Sequence, residues 1–304
     1  MSGLSQTATL AVLCVFAFGS AAEADEFSVL FTKQKSNNDN LYLALPNGQM
    51  REITNSSRKD SSPMVSPDGR YVVFASERVG WWKIWKLDLR DGSFTQLTDA
   101  SGAEYAPCWS PSGDRIAFVS SRDGDAEIYV MNSDGSNLRN ISNNDGSDSH
   151  PYWHSNSRIY YSQESGGTSQ IVSDNPDASD LQIHTTGDDD KLMPQLSPSG
   201  DTLLFYSDMD GNYEIYTMSV DGGEVRRLTN NALFDIRARF SPDGQRIVFE
   251  RGDKRRNHHI FTMDRDGGRQ EQLTLHDYNY APVFVQNCEY LCRDGGEPGG
   301  GTQD

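Results

Sequence analysis

One pattern recurs about every 44 residues, and this period constrains the fold more than any other feature of the chain. Each unit ends on a hydroxyl residue, preceded by Leu or Ile in five of the six, and the spacings are 44, 44, 43, 44 and 45. These hydroxyl residues are Thr54, Thr98, Ser142, Thr185, Thr229 and Thr274. Ser-Pro-Asp-Gly or Ser-Pro-Ser-Gly turns, beginning at Ser66, Ser110, Ser197 and Ser241, keep the same period. Self-similarity on this scale predicts a structure made of repeated units.

Each unit contains four short strands, a to d, predicted in the third unit at 106–109, 115–120, 127–132 and 138–142. The Ser-Pro-Asp-Gly sequence suits the a–b turn, because proline presets φ and glycine tolerates positive φ. Asp-Gly pairs suit the c–d hairpins for the same reason. Four-stranded units of this length are typical of β-propeller blades.

The two ends of the repeat region complement each other. Residues 28–54 supply strands b, c and d only, and a matching strand a lies at 281–285. We therefore predict an all-β fold: a six-bladed β-propeller of four-stranded antiparallel blades, spanning 25–287. Its C-terminal strand pairs with the N-terminal blade, which closes the ring and removes exposed edges.

The fourth unit departs from the pattern. His154-Ser155-Asn156-Ser157 replaces the Ser-Pro-Ser-Gly turn and is one residue shorter. A functional insertion point and neutral drift in a blade held by its neighbours are both open interpretations.

The full repeat, with Trp-Ser-Pro-Ser-Gly at 109–113, Glu-Ile-Tyr at 127–129 and Asp-Gly at 134–135, resembles that of the TolB-like, WD-like β-propeller family. It is also similar to repeats of oligogalacturonate lyases and of some exported peptidases. The resemblance covers 28–285 and implies a six-bladed propeller. TolB carries a further domain ahead of its propeller, whereas here about three residues separate the expected cleavage site from the first strand. We therefore expect the propeller without that domain.

The N-terminal residues have the features of an export signal. The apolar run 8–19 is too short to span a bilayer, and Ala22-Glu23-Ala24 is a small-x-small cleavage site. A signal peptide at 1–24 predicts a periplasmic or secreted protein with no membrane span. The tail, 288–304, is expected to be flexible, and Cys288 and Cys292 in it are close enough in sequence to pair in an oxidising compartment. The net charge of −17 disfavours nucleic acid as a partner.

The b–c and d–a loops share one face, called the upper face below, and they vary in length and sequence, as binding loops do. Equivalent positions just before strand a form a predicted binding ring: Asp60, Glu104, Asp148, Lys191, Asp235 and Asn279. These carboxylates could receive a basic partner segment, and Glu104, Asp148 and Asp235 are candidate calcium ligands. A solvated rim, with aspartates that favour turns, is the alternative.

A second set of positions carries the chemistry of β-elimination from a uronate: Tyr105, His150, Lys191, Arg237 and Tyr280. A tyrosine or histidine would move protons while a cation neutralises the carboxylate. A hydrogen-bonded structural histidine is the alternative interpretation. At the tip of the second unit, Trp81 and Trp82 suit a sugar or a protein anchor, or packing against the next blade. Strand alternation predicts that one of the two turns inward.

The chain has no G-x-S-x-G elbow, H-E-x-x-H motif, phosphate loop or dinucleotide fingerprint. The sequence therefore predicts a monomeric, non-enzymatic propeller that binds a protein of the cell envelope through its upper face, with calcium as the one candidate cofactor. The alternative is a carbohydrate-active protein, either a glycan binder or a polyuronate lyase.

Overall fold

A computed structural model describes residues 27–35, 38–253, 257–285 and 289–292. In these ranges every regular secondary-structure element is a β-strand, and the strands form six separate four-stranded antiparallel sheets. This confirms the predicted all-β, six-bladed propeller. None of the described segments forms a helix of the length and apolarity needed to cross a membrane.

The strands follow the repeat, and each blade is numbered by its order in the chain. Blade 1 contains β1 (Val29–Lys35), β2 (Asn38–Ala44), β3 (Met50–Glu52) and β24 (Tyr278–Phe284); blade 2 contains β4 (Asp60–Val65), β5 (Tyr71–Ser76), β6 (Lys83–Asp88) and β7 (Phe94–Gln96); blade 3 contains β8 (Glu104–Trp109), β9 (Arg115–Ser120), β10 (Glu127–Asn132) and β11 (Arg139–Asn140). Blade 4 contains β12 (Asp148–Trp153), β13 (Ile159–Ser165), β14 (Thr168–Asp174) and β15 (Gln182–Ile183); blade 5 contains β16 (Lys191–Leu196), β17 (Thr202–Ser207), β18 (Glu214–Ser219) and β19 (Arg226–Arg227); blade 6 contains β20 (Phe234–Phe240), β21 (Arg246–Gly252), β22 (His259–Asp264) and β23 (Glu271–Gln272).

The ring closes as predicted, because strand a of blade 1 comes from the far end of the chain. β24 pairs antiparallel with β1, with Val29 opposite Phe284 and Thr32 opposite Tyr280. Closure leaves the inner strand of blade 1 paired like every other inner strand.

The hydrophobic core lies between blades. One cluster joins Val73 and Ile84 of blade 2 to Trp109, Ile116 and Phe118 of blade 3, all nearly inaccessible to solvent. The indole of Trp109 also donates to the carbonyl of Met64 at 3.1 Å, across the same interface. A blade is therefore stabilised chiefly by the faces of its neighbours, as in other repeat architectures.

The recurring hydroxyl residue has a defined structural role. In every blade its side-chain oxygen accepts a backbone N–H of strand c, at 2.8–3.0 Å. Thr98, for example, accepts from Ile84 at 2.9 Å, and both groups are buried. The hydroxyl thus satisfies a buried donor where the short strand d ends.

The a–b turns explain the second repeated motif. The Ser66 hydroxyl accepts from the Tyr71 N–H at 2.8 Å and donates to Asp68 at 2.6 Å, and Gly69 has φ of 72°. In blade 4, His154 replaces the serine, and its Nδ1 accepts from the Asn156 N–H at 3.2 Å. Ser157 takes the glycine position with φ of 67°. Blade 4 therefore makes the same kind of turn with different chemistry.

Each strand a contains a β-bulge, at which its register with strand b shifts. The residue at the bulge has positive φ in all six blades although none is glycine: Ser62, Ala106, His150, Met193, Arg237 and Ala281. A proline follows in five blades, where its missing N–H removes no ladder bond, and Ala238 follows in blade 6.

Several predicted features lie outside the described residues. These are the signal peptide at 1–24, Cys288, and most of the tail. Cys292 is described, and it is disulfide-bonded.

Candidate functional site

The predicted ring residues are not loop residues. Each lies in strand a itself, as its first residue in blades 2 to 5 and its second in blades 6 and 1. All six are buried, and the carboxylates of Asp60, Glu104 and Asp235 have no solvent exposure. Strand a begins earlier than the sequence predicted, because its pairing with strand b continues on the N-terminal side of the bulge.

Three ring carboxylates are held by arginines from their own blades. Arg78 contacts Asp60 at 2.8 Å and Arg251 contacts Asp235 at 2.7 Å. Arg122 pairs with Glu104 in the same manner. Two of the arginines lie 18 residues after their carboxylate, in the b–c loop. A buried carboxylate with a guanidinium partner is a structural arrangement, although a binding role for these residues stays a prediction.

The other three ring residues have no arginine partner among the described residues. Asp148 accepts from the Asn144 side chain at 2.6 Å, and burial raises its pKa to about 7. The Lys191 ammonium donates to the Asp189 carbonyl at 3.2 Å, within its own d–a loop. The Asn279 amide donates to the carbonyl of His276 at 2.7 Å.

Calcium remains a prediction at this ring. The described residues contain no group of three or more His, Cys, Asp or Glu side chains arranged to hold a metal ion. Glu104, Asp148 and Asp235 start strands in three different blades, and two of them are already paired with arginine.

The five residues of the predicted elimination site come from five different blades. Tyr105, Lys191 and Tyr280 lie on strands β8, β16 and β24, and His150 and Arg237 occupy the bulges of β12 and β20. Except for Lys191 they are partly exposed on the innermost strands, toward the central channel.

His150 is neutral at physiological pH in this setting. Burial lowers its pKa to about 3, and the cationic side chains of Arg237 and Arg239 act in the same direction. Its Nδ1 lies 3.0 Å from the Ser149 hydroxyl. Tyr105, on the next blade, has its pKa raised by burial. A neutral imidazole beside a protonated phenol provides hydrogen-bonding groups and no charge.

Arg237 and Tyr280 are already bonded to carboxylates. Arg237 contacts both oxygens of the buried Glu250, at 2.9 and 3.1 Å, and Glu250 also pairs with His258. Burial opposes ionisation of Glu250, but its contacts with Arg237 and His258 together outweigh burial and hold the pKa of the carboxyl below its usual range. The Tyr280 hydroxyl donates to Asp39 at 2.9 Å.

The two tryptophans differ in exposure, and both precede strand β6 rather than lying in it. Trp81 is 67% exposed at the β5–β6 tip on the upper face. Trp82 is half-buried, and its carbonyl accepts from the Glu104 N–H of blade 3 at 3.0 Å. Trp81 is therefore free to contact a ligand or partner.

The loops of the upper face are held in place by the first residue of strand c. The Lys83 ammonium donates to the carbonyls of Ala100 and Gly102, at 2.5 and 2.6 Å. Glu127 and Glu214 accept backbone N–H groups of their d–a loops at 3.1 and 2.7 Å. The upper face is thus a set of loops anchored to rigid strands.

Two features of this region were not predicted from the sequence. Leu233 and Leu275 are 40% and 69% exposed in d–a loops of the upper face. Arg239, on strand β20, is 8% exposed inside the ring. The available signal for Arg239 was its charge, at a position where the other blades have neutral residues.

The unusual fourth blade contributes to a separate pocket of about 430 Å³ with blade 5, on the a–b and c–d side. Its lining includes Arg158, Tyr160, His184 and Val220. The His184 Nε2 lies 2.8 Å from the Ser173 hydroxyl, and burial lowers the pKa of the imidazole. The imidazole of His184 is therefore already bonded to a side chain of its own blade.

Known proteins resemble the chain most clearly in its repeat. The model of the TolB beta propeller domain matches residues 93–209 and 191–293. The Tol-Pal system protein TolB of Geobacter sulfurreducens is 37% identical over 73 residues, which are 23% of this chain and 17% of that protein. An uncharacterised peptidase, YuxL of Bacillus subtilis, is 40% identical over 65 residues, 21% of this chain and 10% of that protein. The matched segments are thus a small part of these relatives.

Solved structures show the same fold at low identity. TolB from Acinetobacter baumannii superposes with a TM-score of 0.74 at 20% identity, covering 85% of this chain and 66% of that one. An oligogalacturonate lyase in complex with manganese superposes with a TM-score of 0.59 at 17% identity, covering 84% of this chain and 75% of the lyase. At these identities the likeness concerns fold alone. The family match spans most of the repeat region, and the chain belongs to the TolB β-propeller domain family.

Proposed function

We propose that this chain is an exported, non-enzymatic propeller that binds a protein of the cell envelope through its upper face. The observation that carries the proposal is Trp81, a large aromatic side chain that is 67% exposed at a hairpin tip. Exposing an indole to water is unfavourable, and tryptophan is among the residues most enriched at the centres of protein interfaces.

Other exposed groups on the same face support a protein partner. Val79 lies beside Trp81 and is 51% exposed, and Leu233 and Leu275 add apolar surface on other blades. Exposed acidic side chains surround them in the d–a loops, at Asp99, Asp145, Asp188, Asp189 and Asp277. Apolar anchors among acidic loops fit a partner surface that is apolar at its centre and basic around it.

The likeness to TolB supports a location in the envelope. The Geobacter relative is described as a Tol-Pal system protein. Fractionation of cells expressing the chain with a C-terminal tag tests export, and recovery in the cytoplasm would contradict it.

The binding test compares two exposed apolar residues. Wild-type protein, Trp81→Ala and Ile183→Ala are immobilised and exposed to envelope extract, and cross-linked partners are quantified by mass spectrometry. Ile183 is a matched control, since it is 66% exposed but lies on the outer strand β15 of blade 4.

We expect one partner to be captured saturably by wild type and Ile183→Ala. Capture by Trp81→Ala should fall at least about tenfold, as for an interface anchor. Equal capture by Trp81→Ala and wild type, with both folded, would contradict the proposal.

The carbohydrate-active alternative has its own readout. Incubation with polygalacturonate, followed by absorbance of unsaturated products, should show no turnover. Turnover abolished by His150→Ala would replace the binding proposal with a lyase.

A further inference from the structure

Arg239 lies two residues after the bulge of β20, on the strand that lines the central channel. The positions two residues after the bulge in the six blades form one level of the channel. The other blades place uncharged residues at the equivalent position: Met64, Cys108, Tyr152, Gln195 and Val283. Among these six positions, all within the described residues, Arg239 alone carries a charge. Met64, Tyr152, Gln195 and Val283 are partly exposed although they lie on innermost strands, so solvent reaches this level.

The Arg239 guanidinium is buried without a counter-charge. Its side chain is 8% exposed, and Nη1 is buried with no hydrogen-bond partner. Within the described ranges no carboxylate forms an ion pair with it, in contrast to Arg237 two residues earlier. A buried cation with unsatisfied donors is costly, and such groups are normally paired.

The surroundings of Arg239 place its head group toward the channel axis. The Arg239 charge acts on the ionisation of Cys108 in blade 3, and of His150 and Tyr152 in blade 4. Blade 3 lies opposite blade 6 in a ring of six, so a side chain from blade 6 approaches Cys108 only across the channel. Burial in this position lowers the pKa of Arg239 itself.

Neither of the two nearest basic groups at the bulges adds an unpaired charge to that of Arg239. Arg237 is neutralised by Glu250, and His150 is neutral because burial lowers its pKa to about 3. The Tyr152 hydroxyl, an uncharged hydrogen-bonding group, is close enough to the guanidinium to feel its charge. Gln195 accepts from the Phe240 N–H through Oε1 at 2.6 Å, which orients its amide nitrogen away from that bond.

We propose that Arg239 is the receptor for a singly charged carboxylate that binds inside the central channel. The planar guanidinium matches a carboxylate bidentately, and the pairing satisfies the donor that the protein leaves unpaired. A phosphate dianion would bring a second negative charge, and none of the other five described positions equivalent to Arg239 carries a cation to meet it. This site goes beyond the protein-binding proposal and does not depend on it.

Carboxylates of two origins have this chemistry: a uronic acid and a peptide. Titration calorimetry therefore uses three probes, D-galacturonate, N-acetyl-glycylglycine and the C-terminal amide of that peptide, with inorganic phosphate for comparison. Binding of the acid peptide but not its amide assigns a peptide source, and preference for galacturonate assigns a sugar acid.

The variants are Arg239→Met, Arg239→Lys and Arg226→Met. Arg226 is a matched control, because it lies on the outer strand β19 and donates to the Asp266 carbonyl at 2.9 Å. Carboxylate affinity should fall at least about tenfold in Arg239→Met, partly recover in Arg239→Lys, and stay unchanged in Arg226→Met.

Stability of the ligand-free protein provides a second readout. Replacing an unpaired buried cation by methionine should leave the melting temperature unchanged or raise it. A fall in melting temperature would show that the protein itself satisfies Arg239 and would overturn the proposal. Absence of binding by wild type to every carboxylate at tens of millimolar would also overturn it, as would phosphate binding more tightly than the carboxylates.

Discussion

Asp148→Asn should stabilise the protein at alkaline pH and leave it unchanged at acid pH. Asp148 has no solvent exposure, its Oδ1 lacks a hydrogen-bond partner, and its Oδ2 accepts from Asn144 at 2.6 Å. Asp60 and Glu104, the equivalents in blades 2 and 3, have arginine partners. Asp148 instead pairs in register with Gln163, and Ser165 takes the position of the arginine.

The expected magnitude follows from the shifted pKa. Burial raises the pKa of Asp148 from 3.8 to about 7. A shift of about three units corresponds to a ceiling of about 4 kcal/mol at about 1.4 kcal/mol per unit. Relaxation and water penetration reduce this, so we expect about 1–3 kcal/mol.

The sign follows from proton binding. Between pH 3.8 and about 7 the folded protein holds a proton that the unfolded chain releases. Wild-type stability therefore falls as pH rises through this window and levels off above it. Asparagine cannot ionise, so the variant lacks this fall.

Urea denaturation of both proteins from acid to alkaline pH measures the difference. We expect the two proteins to have the same free energy of unfolding near pH 3.8, and the variant to be more stable by the full amount above about pH 7. Asp60→Asn is the control: it removes the partner of Arg78 and should destabilise at neutral pH, by about 3 kcal/mol. A pH-independent difference would refute the reasoning, because it requires the same pKa for Asp148 in the folded and unfolded states. Destabilisation by Asp148→Asn at alkaline pH would also refute it, because that result requires an ionised, well-paired Asp148.

Two further substitutions test the repeat and the ring closure. Thr98→Val keeps the shape of the side chain but leaves the buried Ile84 N–H without an acceptor, so the free energy of unfolding should fall by about 1–3 kcal/mol. The control, Thr95→Val on the exposed β7, should change the free energy of unfolding by less than about 0.5 kcal/mol. Denaturant titration decides, and equal effects would show that the hydroxyl has no capping role. Phe284→Ala should cost about 3–5 kcal/mol, because Phe284 is 7% exposed in the cluster that joins blade 1 to blade 6. Hydrogen exchange should then increase in blades 1 and 6 before the others, and uniform loss of protection would contradict a local role for the closing strand.

The fold was predictable because local chemistry repeats with the blade. The hydroxyl at Thr98 and the Ser66 turn each satisfy a backbone donor, so their period directly records the structure. Strand boundaries were less predictable. Strand a of blade 3 was expected at 106–109 but begins at Glu104, because a bulge lets pairing continue past the residue before Pro107.

The positions of the site residues were predictable from the sequence, but their burial and their ion pairing were not. Sequence spacing placed Asp60, Glu104 and Asp235 at equivalent positions, and the structure does so too. Asp60 and Glu104 are paired with arginines that follow strand b at a constant separation, which the sequence already contained. The partner of Asp235 lies within strand b instead. The isolation of Arg239 could not be predicted, because it depends on which side chains meet across a channel from non-neighbouring blades.

The bulge of strand a has a consequence for how the family diversifies. A regular strand would turn successive residues to opposite faces, but here both Tyr105 and Ala106, and both His150 and Ser149, are partly exposed. The buried positions before and after them anchor the blade. Blades 1, 3, 4 and 6 therefore each offer two adjacent channel positions that can change identity without disturbing the packing, whereas in blades 2 and 5 one of the two is buried. The residues that line the channel can thus be substituted independently of the hydrophobic core, so new binding chemistry can arise from changes at a few positions while the fold stays the same.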